Sequence, residues 1–219
     1  RDEGRSSGVS WFLNCDVLAR PVTDIPAAQG GALVEEMRIV AAGTGGGTAV
    51  DLAQLGVPVT AEGLVRSGIA QTSATVLPIR PNGERPAPHC SGAYPALQLH
   101  DRQRQIIENA GHLHIGGPER FQDHHVITEA ATLARRVGAG VSVDLLAGNP
   151  LEWAPQIQAL LPFVDVFCPN DDQICLLYGV DDAAAAAQSS HQDGAGVDVA
   201  SAGPKGAIVV DDRDTRLTI

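Results

Sequence analysis

The fold is decided by residues 112–146, which read HLHIGGPERFQDHHVITEAATLARRVGAGVSVDLL. Two short apolar runs, 112–115 and 141–145, read as buried strands, and residues 127–137 between them carry apolar side chains at helical spacing. Strands joined through a helix run parallel and connect by a right-handed crossover. This stretch therefore predicts one unit of a layered α/β fold.

The same alternation continues on both sides of this unit. It predicts a three-layer α/β/α core with a mostly parallel sheet. Further strands are predicted at 9–13, 57–60, 164–168, 206–210 and 215–219, and further helices at 48–55, 101–109, 150–161, 171–178 and 181–188. Residues 189–196 are polar and are predicted to form a loop.

Two segments, 19–41 and 72–90, break the alternation. The first contains several prolines and glycines before the strand-like run 33–40. The second reads as two extended arms around Arg80–Glu84, where Asn82-Gly83 is a strong hairpin signal. We expect these segments to form a small β-lid over one edge of the core, within a single domain spanning residues 1–219.

Composition excludes several classes of protein. The 15 basic and 26 acidic residues give a net charge of −11, which argues against a nucleic-acid partner or an anionic membrane surface. No apolar run reaches the roughly 18 residues that a membrane crossing needs. The single lysine, Lys205, follows no Walker A loop, and the four cysteines form no C-x-x-C pair. We expect a cytoplasmic protein with reduced thiols.

A glycine run at residues 39–53 offers the sharpest local pattern, a strand followed by Gly43-Thr44-Gly45-Gly46-Gly47 and a helix. It permits three interpretations. The first is a dinucleotide fingerprint using Gly43, Gly45 and the acid Glu62, although Thr48 stands where the third glycine belongs. The others are a tight turn with no ligand and a turn that lets a sugar approach the backbone.

Polar residues at predicted strand ends are further candidates. Asp16, in Asn14-Cys15-Asp16, could accept hydroxyl groups of a sugar or could cap a turn. Asn170, before Asp171 and Asp172, could support magnesium and phosphate or could cap a helix. His112 and His114 share one face of a strand, but no nearby carboxylate or cysteine completes a zinc site, so we interpret them as core or surface histidines.

Taken in order along the chain, these segments resemble the ribokinase-like (PfkB) carbohydrate kinases. Several motifs carry the resemblance. Asn14-Cys15-Asp16 is similar to the family's N-x-D motif, and residues 42–56 are similar to its Gly-Gly turn and the helix that follows. Residues 82–85 are similar to part of its lid. The others are Ser91-Gly92-Ala93, His114–Gly117, Asp144 with Asn149 and Trp153, Pro169-Asn170-x-x-Gln173 and Gly203–Gly206.

The resemblance implies ATP-dependent phosphorylation of a hydroxyl on a small sugar, with Mg²⁺ as the accompanying ion. It implies a sugar site and a nucleotide or phosphate site, and it assigns no side chain as a metal ligand. The sugar site comprises Asn14, Asp16, Gly43, Thr44, Gly47 and Gly92. The nucleotide and phosphate site comprises Asn170, Gln173, Ser201, Gly203 and Gly206. Two alternatives stay open, a weak or inactive sugar- or nucleoside-binding homologue and a nicotinamide dehydrogenase.

The sequence also departs from the family pattern. Ala42 replaces a glycine, Gly47 and Tyr94 stand where asparagine is common, and Gln173 replaces a glutamate. The family's G-A-G-D motif, which carries the general base, has no counterpart before Ile219. We therefore expect the 219 residues alone not to turn over ATP, the native chain to continue beyond Ile219, and the short link near Val65–Arg66 to join separate pieces. A homodimer through the lid is also expected.

Overall fold

The computed structural model describes residues 6–10, 14–62, 67–96, 98–146 and 150–218. The predicted join at Val65–Arg66, residues 11–13 of the first predicted strand and Asn149 lie outside the described residues. The described strands are β1 (Ser6–Ser10), β2 (Asn14–Arg20), β3 (Glu36–Ala42), β4 (Val59–Glu62), β5 (Ala74–Pro78), β6 (His89–Cys90), β7 (Ala110–Gly116), β8 (Gly140–Asp144), β9 (Val166–Phe167), β10 (Val197–Ser201), β11 (Ala207–Val210) and β12 (Thr215–Thr218). The described α-helices are α1 (Thr44–Gln54), α2 (Asp101–Glu108), α3 (His124–Arg136), α4 (Pro150–Leu160), α5 (Asp171–Tyr178) and α6 (Ala183–Gln192).

Eight strands form the main sheet, in the order β12-β11-β10-β9-β8-β7-β1-β4. Every pair from β10 to β4 is parallel, and β11 and β12 extend the sheet antiparallel at one edge. The helices pack on this sheet, with α3 against β7 and β8 and α6 against β10 and β11. The prediction of an α/β core with a mostly parallel sheet is confirmed.

The lid is a separate four-stranded sheet in the order β3-β2-β5-β6. The hairpin predicted around Asn82-Gly83 joins β5 to β6, which pair antiparallel. The strand predicted at 9–13 begins earlier, because β1 starts at Ser6, and Asn14–Arg20 forms a lid strand that sequence reasoning missed. The sequence pattern did not indicate β2, because it begins with Asn14 and Asp16 and both residue types are depleted in strands.

Two local predictions near the helices are corrected. Helix α1 begins at Thr44, so Gly45–Gly47 lie inside the helix rather than in a turn before it. Helix α6 runs to Gln192 and β10 follows at Val197, so the predicted loop 189–196 is wrong for its first half, 189–192. Burial of Ser190 extends α6 because tertiary packing overrides its modest helix propensity.

The core lies between the sheet and its helices. Ile115, Val143 and Phe167 on neighbouring parallel strands are almost fully buried, as are Ile157 on α4 and Ile174 on α5. Because both faces of the parallel strands are covered, their sequences read as continuous apolar runs rather than alternating ones. No described helix combines the length and apolar character that a membrane crossing requires.

Asp198 on β10 is a fully buried acid outside the cleft described below. Neither carboxyl oxygen has a hydrogen-bond partner among the described residues. Burial raises the pKa of Asp198 to about 7, although Ser190 and His191 oppose the shift. The carboxyl group in the unfolded chain releases its proton near pH 4, so this group destabilises the fold progressively as the pH rises from about 4 to about 7.

We therefore expect Asp198→Asn to raise the melting temperature at about pH 8 by several °C. A shift of about three pKa units is worth on the order of 4 kcal/mol, and about 1 kcal/mol moves the melting temperature of a chain this size by about 2–4 °C. The gain should shrink toward pH 4. Thermal unfolding at both pH values, with the exposed Asp181→Asn as control, checks this; a gain independent of pH would contradict it.

Candidate functional site

A cleft of about 680 Å³ lies between the lid sheet and the carboxyl ends of the central strands. Ligands of open α/β sheets bind at this edge, and the volume lies within the roughly 300–1,000 Å³ of small-molecule sites. The lid contributes Asn14, Asp16, Thr75, Leu77, Arg85, Ala87 and His89, and the core contributes Gly43, Thr44, Arg120, Leu145, Leu146 and Gln173.

A hydrogen-bonded polar network covers the cleft face of the lid. Asp16 pairs with Thr75 in the register of β2 and β5, so both side chains lie on the same face as Asn14. Asn14 Nδ2 donates to Asp16 Oδ1 and to Thr75 Oγ1, each at 2.5 Å. Thr75 Oγ1 lies 3.0 Å from His89 Nδ1. This network fixes the Asp16 carboxylate at the wall of the cleft, where it can accept hydrogen bonds.

The N-terminus of α1 faces the same cleft. Asn14 pairs with Ala42 at the end of β3, which brings Gly43 and Thr44 beside the Asn14–Asp16 network. Gly43 is the N-cap with φ 94°, a left-handed conformation that favours glycine. The first N–H groups of a helix lack internal partners and carry partial positive charge. A carboxylate and a row of N–H donors therefore share one cleft.

Two buried acids support the floor of the cleft. Glu119 Oε1 accepts a hydrogen bond from the backbone N–H of Leu146, and Asp144 ends β8 near Thr44. Burial raises the pKa of each carboxyl to about 7. Glu119 thus holds Leu146 at the cleft, and both acids change charge near neutral pH.

Asn170 and Gln173 form a capping box at the start of α5. Asn170 Oδ1 accepts from Gln173 N at 2.7 Å, and Gln173 Oε1 accepts from Asn170 N at 2.8 Å. Gln173 Nε2 donates to the carbonyls of Leu145 and Leu146 at 2.9 and 3.3 Å, which a glutamate could not do. Gln173 thereby joins α5 to the cleft floor, while Asn170 does not line the cleft.

The remaining nucleotide-site candidates lie beside Asn170. Ser201 forms an isolated bridge with Asn170, and Ser201 N donates to Pro169 O at 3.0 Å. Gly203 and Gly206 bound the turn that follows, which is closed by Ala202 N donating to Gly206 O at 2.7 Å. These three residues and Asn170 therefore form a second group, outside the residues that line the cleft.

Two predicted sugar-site residues lie elsewhere. Gly47 is exposed on α1, and a Cβ added there would meet nothing within 4 Å. Gly92 has φ 58° and packs closely on backbone, since an added Cβ would lie 2.8 Å from Ser73 N. Neither lines the cleft, whereas Asn14, Asp16, Gly43 and Thr44 do.

Comparison with known proteins decides the family. Residues 62–218 match the family described as pfkB family carbohydrate kinase. The chain belongs to this family. A comparison with curated proteins gave no match.

Solved structures confirm the ribokinase-like three-layer fold of this pfkB-family chain. Ribokinase from Arabidopsis thaliana, complexed with ribose and ATP, aligns with a TM-score of 0.77 at 16% identity, over 99% of this chain and 78% of that one. A probable sugar kinase from Rhizobium etli aligns with a TM-score of 0.79 at 16% identity, over 98% of this chain and 79% of that one. Fructokinase from Xylella fastidiosa with bound ATP aligns with a TM-score of 0.75 at 18% identity, over 99% of this chain and 78% of that one. Nothing in these comparisons supports the dehydrogenase alternative.

Sequence reasoning missed four polar residues that line the cleft of the pfkB-family chain. Thr75 and His89 enter it through strand pairing in the lid, Arg85 enters it from the segment between β5 and β6, and Arg120 enters it from the short helix Pro118–Arg120. The Asn82-Gly83 hairpin signal could have located Thr75 and His89, because residues on paired arms of one hairpin share a face. No local pattern marks the two arginines.

Tyr94 and the strand histidines have structural contacts. The Tyr94 hydroxyl donates to Gly117 O at 2.8 Å, and its ring packs edge-on against Phe121 with centroids 4.7 Å apart. His112 Nε2 and His114 Nδ1 lie 2.7 and 2.9 Å from Ser142 Oγ. Burial lowers the pKa of His114 to about 4. Within the described ranges no cluster of His, Cys, Asp and Glu could hold a metal ion.

Proposed function

We propose that this pfkB-family chain binds a small sugar or sugar-like molecule and phosphorylates one of its hydroxyls with ATP. The observation that carries the proposal is the Asp16 carboxylate, held by Asn14 in the same cleft as the N-terminus of α1. A carboxylate accepts two sugar hydroxyls well, and free helix N–H groups suit the charge that develops on a phosphoryl group. The two features together fit an acceptor beside a transferring phosphate.

In this reaction the acceptor oxygen bonds to the γ-phosphorus while the bond to the bridging oxygen of ADP breaks. The bond electrons leave with ADP, and the hydroxyl proton passes to a base. Such transfer depends mainly on positioning and charge stabilisation. Asp16 would orient the acceptor, Gly43 and Thr44 would present backbone N–H groups, and the turn from Ser201 to Gly206 would line the nucleotide.

Magnesium fits this arrangement only as an ion carried by the nucleotide. Mg²⁺ keeps several waters and favours phosphate oxygens with one or two carboxylates. Asp171 and Asp172 lie in the first turn of α5 beside Asn170, so these residues would meet the ion. When bound, the ion would neutralise charge on the phosphates.

The hydroxyl proton needs an acceptor near the cleft. Among the described acids, Asp144 is the candidate that the geometry favours, because it ends β8 beside Thr44. Its pKa of about 7 suits a general base. Sugar-dependent ATP turnover by the 219-residue chain would contradict the expectation of an absent base and would point to Asp144 or Asp171.

A second candidate function is sugar or nucleoside binding without transfer. The neutral Gln173 favours it, because both ends of its amide are engaged within the protein and it brings no negative charge to the phosphate region. Calorimetry with a panel of sugars and nucleosides, followed by a coupled ADP-release assay with Mg²⁺, separates the two functions. Sugar-dependent ADP release supports the kinase, sugar binding without ADP release supports the regulator, and no binding by either class contradicts both.

The outer face of the lid supports the expected homodimer. Ile39 on β3 pairs with Val17, which also pairs with Val76 on β5, so these side chains share the face away from Asp16. Met37, Ile39 and Val76 on that face are 66%, 73% and 50% exposed. A contiguous apolar face of this kind is typical of a subunit interface.

We expect Ile39→Glu to shift the protein from dimer to monomer, because a charge buried in an apolar interface costs several kcal/mol, roughly enough to dissociate a dimer of moderate affinity. Light scattering coupled to size-exclusion chromatography measures the mass directly. Val50→Glu, which alters an exposed apolar residue of α1, is the matched control. A wild-type chain that is monomeric at high concentration would contradict the dimer.

A further inference from the structure

Two arginines enter the cleft from opposite sides. Arg85 comes from the lid, in the segment between β5 and β6, and Arg120 ends the short helix Pro118–Arg120 that follows β7. Their convergence is unexpected in a chain with a net charge of −11. Most of the other arginines contact a carboxylate within the protein: Arg20, Arg38, Arg80, Arg104, Arg135, Arg136 and Arg216.

Arg85 differs from those arginines. It is exposed at the cleft, and within the described ranges its side chain has neither an ion pair nor a hydrogen bond. Its neighbour along the lid, Arg80, is paired with Glu84, so the hairpin's own acid is already engaged. Arg85 therefore brings a positive charge to the cleft that no ion pair with a described residue engages.

Arg120 extends the same positive region across the cleft floor. Burial lowers the pKa of His89 in the lid, and the charge of Arg120 adds to that shift, while Asp16 opposes it. The adjacent acid, Glu119, is buried and accepts a hydrogen bond from Leu146 N. Glu119 thus binds the backbone at Leu146, while Arg120 next to it lines the cleft.

We propose that the acceptor sugar carries an acidic group, a carboxylate or a phosphate, which binds between Arg85 and Arg120. The inference rests on the proposed function and names its substrate class. Guanidinium groups match both oxyanions through paired N–H donors, and charge-assisted hydrogen bonds are about twice as strong as neutral ones. The Asp16 carboxylate would hold hydroxyls of the same molecule, so the two ends of the cleft select different ends of the acceptor.

A neutral sugar would supply hydroxyls for Asp16 but no acidic group for the arginine end of the cleft. Closing the lid on it would remove water from the Arg85 guanidinium without supplying an acceptor, which is costly. The terminal phosphates of the nucleotide could supply the same chemistry. The test below therefore measures sugar and ATP binding separately.

The test titrates the full chain by calorimetry with matched sets of glucose, gluconate and glucose 6-phosphate, and of ribose, ribonate and ribose 5-phosphate. In at least one set we expect an acidic member to bind about 10- to 100-fold more tightly than its neutral parent. The advantage should decline at high salt, where exposed charges are screened. Whichever acidic member binds identifies the anion as carboxylate or phosphate.

Arg85→Gln and Arg120→Gln should each remove most of that advantage and leave the affinity for the neutral parent and for ATP within about twofold, a difference of only about 0.4 kcal/mol. Arg38→Gln, a lid arginine paired with Glu36, is the control and should change neither. Far-UV circular dichroism and melting temperatures check that each variant is folded.

Three results would overturn the inference. The first is neutral sugars binding as tightly as their acids, which leaves the proposed function intact. The second is an acid preference that survives both substitutions. The third is variants that weaken ATP binding but not acid binding, which assigns the arginines to the nucleotide. Binding of no sugar by the wild type contradicts the proposed function itself, and the inference with it.

Discussion

Asp16→Ala is expected to weaken binding of the acceptor sugar by at least about 100-fold while leaving the fold intact. A hydrogen bond to a charged group contributes about 1.5–3 kcal/mol, and a carboxylate facing the cleft can accept two sugar hydroxyls. The loss should be larger than for any other single side chain of the lid, because Asn14 and Thr75 act mainly by fixing Asp16. Calorimetric titration of wild type and variant with the same sugar measures it.

Two controls make this result specific. Asp24→Ala removes an exposed acid from the same lid and should leave the affinity unchanged. Asp16→Asn keeps the size of the side chain and should still lose most of the affinity, since an amide accepts fewer hydroxyl donors than a carboxylate. Equal affinities of wild type and Asp16→Ala would refute the role assigned to this residue.

Gly116→Ala is expected to destabilise the protein by about 1–3 kcal/mol and to reduce sugar affinity as well. A Cβ at this position would lie 2.7 Å from the backbone nitrogen of Gly45 and would collide with the Thr44 side chain. The end of β7 and the start of α1 would have to separate, and Gly43 and Thr44 would move with the helix. Because a helix N-terminus places its N–H groups as a unit, this shift should alter the cleft.

Gly47→Ala is the matched control, because Gly47 lies on α1, the helix that Gly116→Ala would displace. An added Cβ there meets nothing within 4 Å, and alanine has the higher helix propensity. This variant should be about 0.5–1 kcal/mol more stable than wild type and should bind sugar normally. Urea unfolding and calorimetry compare the two variants. A Gly116→Ala protein with wild-type stability would show that β7 and α1 are not in close contact.

The architecture of the core could be predicted from the sequence because its signals are local. The run 112–146 contains strand, helix and strand in succession, and parallel pairing follows from that order. The lid hairpin was equally visible, since Asn82-Gly83 separates two extended arms. Strand β2 was not, because its cleft face carries Asn14 and Asp16, whose burial depends on pairing with β3 and β5 rather than on local sequence.

The cleft was predicted only in part, for a related reason. Asp16 could be identified because it follows a predicted strand, and Gly43 because it begins a glycine run. Arg85 and Arg120 lie 35 positions apart, one in the lid and one at the end of the short helix after β7, and only the folded lid brings them to one cleft. The contacts of Gln173 with Leu145 and Leu146 likewise depend on how α5 meets the end of β8.

The central claim is that the acceptor sugar binds between the lid and the N-terminus of α1. A crystal structure of the chain with the tightest-binding member of the sugar panel tests it most directly. We predict hydroxyl oxygens within hydrogen-bonding distance of the Asp16 carboxylate, beside Gly43 and Thr44. A sugar bound elsewhere on the molecule, with the cleft filled only by water, would contradict the claim.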